Sequence, residues 1–189
     1  IEIINWNRNK VPSEYIMEGD LSSASYLIGW SYINKFNLEL KNIPKISTQP
    51  DFKILHKMSK YFGNLDDNNG ILTFKPYNEI NINSSECCID LDSSDTFLTW
   101  ALLFITEKIE RNKNFISKIK IDNIENQDWK ECKRITNMIK NLEKLGITIT
   151  RTKTGFIIPS NIFNDDTHIL ENIGDDNYIM ETYNDHRMA

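Results

Sequence analysis

The sequence is poor in residues that bind metals. Its 189 residues include only three cysteines and three histidines. Cys87, Cys88 and Cys132 lack metal-ligand spacing, and His56, His168 and His186 are far apart with no HExxH pairing. A metal centre is therefore not expected, and no other cofactor is implied. Three cysteines suit a reducing compartment better than a disulfide scaffold. No apolar run approaches the ~20 residues of a membrane span, and the polar start of the chain has no signal-peptide core. The chain opens on Ile1 rather than Met, which reads as the middle of a longer protein. A dense basic tract is also missing. The 22 Lys and Arg are dispersed among 27 Asp and Glu, giving a net charge of −5, which argues against a nucleic-acid footprint. An acidic chain still binds an anion where a few cations converge.

What is present is an ordinary globular composition, 40% hydrophobic and 26% charged, in a chain long enough to bury a core. Residues 15–19 read as extended. Asp20 and Ser22-Ser23 offer helix caps before residues 24–36, which are apolar nearly all round (Tyr26, Leu27, Ile28, Trp30, Ile33) as in a buried helix. Residues 38–41 alternate like a strand. A loop with Pro44 and Pro50 leads to a helix at 51–62, ended by Gly63, and turn residues 66–70 lead to a strand at 71–75. The order then repeats. Residues 87–91 are extended, Ser93-Ser94 offer caps, 96–105 form an apolar helix and 119–121 a strand. Residues 129–145 form an amphipathic helix, and 147–152 with 155–158 a strand pair around Lys153-Thr154. A third copy begins at 178–182, with Asn184-Asp185 in the cap position. Copies spaced by roughly 70–80 residues are repeated subdomains rather than solenoid units.

If the copies pack with pseudo-symmetry, the buried helices are parallel. Their starts, near Ser22, Ser94 and Asp185, then present free N–H groups on one surface, which favours phosphates and carboxylates. Charged clusters sit at those starts: Asp90, Asp92 and Asp95; residues 123–134, with Lys130 and Arg134 four apart and Glu131 beside them; and His186-Arg187. Each alone reads as capping or a solvated face. Together they supply carboxylates for proton transfer and cations for anions.

These clusters resemble the EPSP synthase (3-phosphoshikimate 1-carboxyvinyltransferase) family. Residues 18–26 read EGDLSSASY against the family's EGDxSSASY, and residues 47–51, STQPD, are similar to S-x-Q-G-D. Asp95 with Thr99 is similar to D-x-x-x-T, residues 130–134 (KECKR) to K-E-T-D-R, and residues 182–189 read TYNDHRMA, nearly the family signature. The KEC form is more similar to the version within the fungal AROM polypeptide. The resemblance implies an α+β fold, the α/β prism built of βαβαββ units around parallel buried helices. It implies a tail or linker at 1–13 and a carboxy-terminal-type domain at 14–189, short at both ends. It also implies transfer of the enolpyruvyl group of phosphoenolpyruvate to the 5-hydroxyl of shikimate 3-phosphate. Asp95 matches the proton-transferring aspartate and Glu131 the second acid–base group. Asn126 and Lys130 match shikimate-phosphate contacts, Gln49 falls in a matching substrate motif, and Arg134, His186 and Arg187 match groups that bind phosphoenolpyruvate. Asp128 and Trp129 depart from the family, which usually has Arg and Val there, and Pro50 replaces a glycine. The implied partners are the two substrates and the enzyme's amino-terminal domain, without which this chain is expected to be inactive. The expected setting is cytoplasmic, with a plastid as the other setting for a parent protein. The alternatives are a non-catalytic scaffold domain derived from the synthase and an enolpyruvyl transferase acting on a UDP-sugar.

Overall fold

The computed structural model describes residues 14, 17–43, 46–68, 70–82, 86–92, 94–110, 118–163 and 179–189. The expected tail 1–13, Tyr15 and Ile16, Pro44, Ser93, His168 and Tyr178 lie outside the described residues. The chain runs α1 (Leu21–Asn34), β1 (Leu38–Lys41), α2 (Asp51–Phe62), β2 (Gly63–Asn68) and β3 (Ile71–Pro76). It continues as β4 (Glu86–Asp90), α3 (Phe97–Glu110), β5 (Lys118–Asp122), a 3-10 turn at Glu125–Trp129, α4 (Arg134–Lys144), β6 (Thr150–Arg151) and β7 (Phe156–Ile158). Among the described residues no helix is long and apolar enough to cross a membrane.

The α+β class and the repeat both hold. One sheet has the order β1-β3-β2 and the other β4-β5-β7-β6. In each, the last strand lies between the two before it and runs antiparallel to both, with Leu38 opposite Phe74 and Ile121 opposite Phe156. β4 and β5 are parallel, joined through α3. The first copy has no assigned strand at 17–19, yet Gly19 N–H donates to the Asn42 carbonyl at 2.9 Å, as Leu91 N–H does to Asp122 at 3.2 Å. Asn42 and Asn123, which leave those strands, share a left-handed φ of 64° and 59°, a conformation Asn tolerates better than most residues.

The two long apolar helices are parallel, as expected, because their contacts climb in step. Ser25 Oγ lies 2.9 Å from Thr99 Oγ1, and Tyr32 Oη donates to Glu107 at 2.5 Å. Gly29 permits this approach, since a Cβ there would lie 2.9 Å from Thr99 Cγ2. Aromatic residues lock the copies together: the Phe62 ring stands 4.9 Å from Tyr32, 5.8 Å from Trp100 and 5.2 Å from Phe104, and all four are buried.

Several boundaries differ from the expectation. α1 starts three residues early because Asp20, rather than a serine, is its N-cap. It is not buried all round: Trp30 is 58% exposed, and Leu27, Ile33 and Tyr26 share that open side. β2 occupies residues expected to be a turn, since a bare Gly63 lets it press against β3, where a Cβ would meet the Lys75 carbonyl at 2.5 Å. The helix expected at 129–145 begins only at Arg134, so Lys130 and Arg134 do not share a helical face. The strand expected at 147–152 shrinks to Thr150–Arg151. At the third copy, 179–182 is not a strand and no helix has begun by Ala189; Tyr183 and Asn184 take positive φ instead. Because the Phe62 ring joins the two copies, Phe62→Ala should cost about 3–5 kcal/mol of stability in a denaturant titration. Ile46→Ala, at an 86% exposed position, should stay within about 0.5 kcal/mol; comparable losses would contradict this packing.

Candidate active site

Two of the three expected helix starts converge, those of α1 and α3, and Asp51 draws them together. No helix begins at Asp185, and the first N–H groups of α1 are taken by Gln49 and Asp20 rather than left free. The Asp51 carboxylate at the head of α2 accepts from Ser22 Oγ in α1 and, at 2.6 Å, from Ser94 Oγ just before α3. Ser94 Oγ also takes the Thr96 N–H at 3.0 Å, one residue before α3 begins, so Ser94 steadies the approach to α3 rather than capping its first turn. Asp20 caps α1 by accepting from Ser22 N–H at 3.0 Å and Ser23 Oγ at 2.6 Å. Gln49 supports the same start from beneath: it accepts from Leu21 N–H at 3.0 Å and donates to the Gly19 carbonyl at 2.8 Å. Its amide therefore serves the backbone of α1 rather than joining the charged groups. Asp51 is the last residue of the STQPD stretch that resembles a family motif, but nothing in that pattern shows that it joins two helix starts.

Arg134 is the centre of the charged cluster. A guanidinium has five N–H donors in a rigid fork, and each has an acceptor here. Nε donates to Asp185 Oδ2 at 2.7 Å and Nη2 to Asp185 Oδ1 at 3.2 Å. Nη2 also donates to Glu131 Oε2 at 2.5 Å, and Nη1 donates to Asp95 Oδ1 and Gln127 Oε1, both at 3.1 Å. The Arg134 side chain is 2% exposed and that of Asp185 fully buried. Such charges are tolerated inside a protein only when paired and hydrogen-bonded. Burial by itself pushes the Asp185 carboxyl up. The Arg134 guanidinium, the Arg187 N–H and the Cys132 thiol outweigh it and hold the group down at about 2.

Asp95, expected as the proton-transferring group, sits among three cations. Besides Arg134, Lys130 Nζ lies 3.9 Å from its Oδ1 and Arg187 Nε 3.9 Å from its Oδ2. Gln127 Nε2 donates to Asp95 Oδ1 at 2.8 Å. Lys130 thus reaches Asp95 from an extended loop, not from a helix. Arg187 also meets Asp20 Oδ2 at 3.4 Å, and its guanidinium lies beside the Tyr26 hydroxyl. Burial raises the Tyr26 phenol above its ordinary value against that contact. Beside Arg187 lies a groove of about 220 Å3 lined by Tyr26, Leu98, Leu102, Met138 and Met188.

The structure thus brings Asp95, Lys130, Glu131, Arg134 and Arg187 together. His186 is next to them but faces outward, 67% exposed, with Nδ1 3.8 Å from Asp185. Asn126 lies on the adjoining 3-10 turn, and its Oδ1 is buried without a hydrogen-bond partner. Gln127 is a member that sequence reasoning missed, and Asp20, Tyr26 and Asp185, read there only as caps or motif residues, were given no part in the charged cluster. Gln127 is fully buried, but a polar residue in a polar stretch gives no sign of it.

Asp185 carries a testable consequence. Its depressed carboxyl adds stability that is complete above the ordinary Asp range near ~4 and is lost as the pH falls towards about 2. Asp185→Asn should remove that portion of the acid sensitivity. It should also cost about 3–5 kcal/mol near pH 7 by stripping a buried cation of its main partner. Denaturant titrations of both proteins across pH 2–7 read both effects, and identical slopes over the acid window would contradict the assignment.

Comparison with known proteins agrees with the motifs. Residues 3–189 match the family described as EPSP synthase (3-phosphoshikimate 1-carboxyvinyltransferase). The pentafunctional AROM polypeptide of Pneumocystis carinii is 31% identical over 182 residues, covering 94% of this chain and 11% of that protein. The 3-phosphoshikimate 1-carboxyvinyltransferase of Methanococcus maripaludis is 30% identical over 188 residues, covering 98% of this chain and 38% of its own. A solved EPSP synthase from Acinetobacter baumannii aligns with 20% identity over 75% of this chain and 32% of that one, at a TM-score of 0.45. The chain spans little more than a third of the single-activity relative and about a tenth of the AROM polypeptide. With a family match over nearly its whole length, the chain belongs to the EPSP synthase family.

Proposed function

We propose that this chain forms part of an enzyme that transfers the enolpyruvyl group of phosphoenolpyruvate to the 5-hydroxyl of shikimate 3-phosphate, releasing phosphate. The observation that carries the reading is the convergence of three motifs, far apart in sequence, on one guanidinium. Asp95, Glu131 and the segment containing Asp185 and Arg187 all meet Arg134 or its direct partner. In the reaction the hydroxyl adds to C2 of the enol as C3 gains a proton. The tetrahedral intermediate then loses phosphate as C3 gives a proton back. That sequence needs one group to take the hydroxyl proton, one to serve C3, and cations for two phosphates and a carboxylate.

Asp95 is the proposed acceptor of the hydroxyl proton and Glu131 the group serving C3. Lys130, Asn126 and Gln49 are the proposed contacts of shikimate 3-phosphate. The unpartnered Oδ1 of Asn126 suits a ligand hydroxyl, whereas the backbone bonds of Gln49 suit an indirect part. Arg134, Arg187 and His186 are the proposed phosphoenolpyruvate groups. Because the five donors of Arg134 are occupied, an incoming carboxylate must replace one of its partners. Glu131, with its side chain 51% exposed, is the partner free to leave. Exchange at Arg134 would then seat the substrate and free Glu131 for proton transfer in one step. A reducing, cytoplasmic setting belongs to the same proposal, supported by free thiols at Cys87, Cys88 and Cys132.

The occupied fork of Arg134 also favours a second reading, a synthase-derived scaffold in which the cluster only holds the fold. Phosphate release by the full-length protein, supplied with both substrates, separates the two. Under the catalytic reading Asp95→Asn and Glu131→Gln each lower kcat by about 10²–10⁴-fold with smaller effects on KM. A well-folded wild-type protein that releases no phosphate would leave the scaffold reading standing, and variants with unchanged kcat would reject these roles.

A further inference from the structure

The start of α4 is built in an unusual way. The first N–H groups of a helix have no partner within it, and the residue before Arg134, Lys133, supplies no side-chain cap. The acceptor comes from six residues upstream of Arg134. Asp128 Oδ1 accepts from Ile135 N–H at 2.9 Å and Thr136 N–H at 3.2 Å, and Oδ2 accepts from Thr136 Oγ1 at 3.0 Å. A carboxylate at this end also meets the positive pole of the helix dipole. On its far side Asp128 Oδ2 takes Arg151 Nη2 at 3.1 Å.

Arg151 is itself anchored. Its Nη1 donates to the Thr152 carbonyl at 2.5 Å and to that of Gly155. The turn between β6 and β7 is fixed against the segment that follows β5, where Ile124 N–H donates to the Thr154 carbonyl at 2.9 Å. Gly155 lies so close to Ile121 that a Cβ would sit 1.9 Å from its carbonyl oxygen. Asp128 therefore ties three pieces: the 3-10 turn bearing Gln127, the first turn of α4 bearing Arg134, and the β6–β7 turn. Lys130, Glu131 and Arg134 all lie within the loop that its carboxylate closes.

We propose that Asp128, buttressed by Arg151, is a positioning residue that sets the aim of the Arg134 guanidinium and so the affinity of the anion site. This deepens the functional reading above and rests on it for its kinetic part. A residue without an acceptor oxygen at this position could not take these N–H groups. The pairing of Asp128 with Arg151 is how this chain holds the start of α4.

The test uses the full-length protein with arginine labelled at 15Nε, together with steady-state kinetics. In Asp128→Ala the Arg134 Nε–H signal should exchange with solvent about 10-fold faster. The KM for phosphoenolpyruvate should rise about 10-fold with kcat within about 3-fold, the scale of a lost helix cap. Asp128→Asn, which keeps an acceptor oxygen for the helix N–H groups, should stay within about 3-fold of wild type in both readouts. A lower Tm with unchanged Arg134 exchange and unchanged KM would make Asp128 a cap and nothing more, and would overturn the proposal. If Asp128→Ala does not fold, Arg151→Gln decides in its place. It should raise both quantities about 3-fold, and no change in either overturns the proposal. If the wild-type protein shows no turnover, the functional reading falls, while the Arg134 exchange rates still decide whether Asp128 positions it.

Discussion

A buried guanidinium cannot stand alone, and the site is arranged around that constraint. Arg134 is nearly inaccessible, so each donor left without an acceptor would carry a desolvation cost. Its needs are met from four places in the chain: Asp95 before α3, Gln127 on the 3-10 turn, Glu131 in the loop, and Asp185 near the last residue. Those segments have few reasons of their own to meet. The cluster fixes them relative to one another and so defines the surface proposed to bind anions.

The remainder of the fold prepares that meeting. The parallel packing of α1 and α3 through Ser25, Gly29 and Thr99 brings their N-termini to one side. Asp51 then links both starts to α2. Arg187 reaches from the last residues to Asp20 at the head of α1 and Asp95 before α3, linking the charged groups of both copies. Asn141 holds that segment in place from α4 by exchanging hydrogen bonds with the Glu181 backbone at 2.8 and 3.2 Å.

Much of this was legible in the sequence because it depends on local pattern. Apolar periodicity marked α2 to the residue, and the repeat followed from alternating buried and amphipathic helices. Resemblance to the family's motifs singled out Asp95, Lys130, Glu131, Arg134 and Arg187, which the structure brings together, and equally Gln49, Asn126 and His186, which it leaves outside that cluster. What escaped was set by distant partners. Lys130 and Arg134 were expected on one helix because the run from Trp129 is a fair helix former, yet Asp128 captures the N–H groups of Ile135 and Thr136 and delays the start. Gln127 and Asp51 look like surface residues until the groups that bury them arrive from 32 and 29–43 positions away. The open side of α1 was misread for a related reason: an apolar stretch shows that a helix can be covered, not what covers it.

The central claim is that this surface is an anion site whose occupant takes over part of the Arg134 fork. Calorimetric titration of the full-length protein with shikimate 3-phosphate, with and without phosphoenolpyruvate, tests it most directly. The account predicts saturable binding of each compound, with phosphoenolpyruvate binding abolished in Arg134→Gln in samples whose melting shows them folded. Absence of binding by a folded wild-type protein, or phosphoenolpyruvate binding unaffected by that substitution, would contradict it.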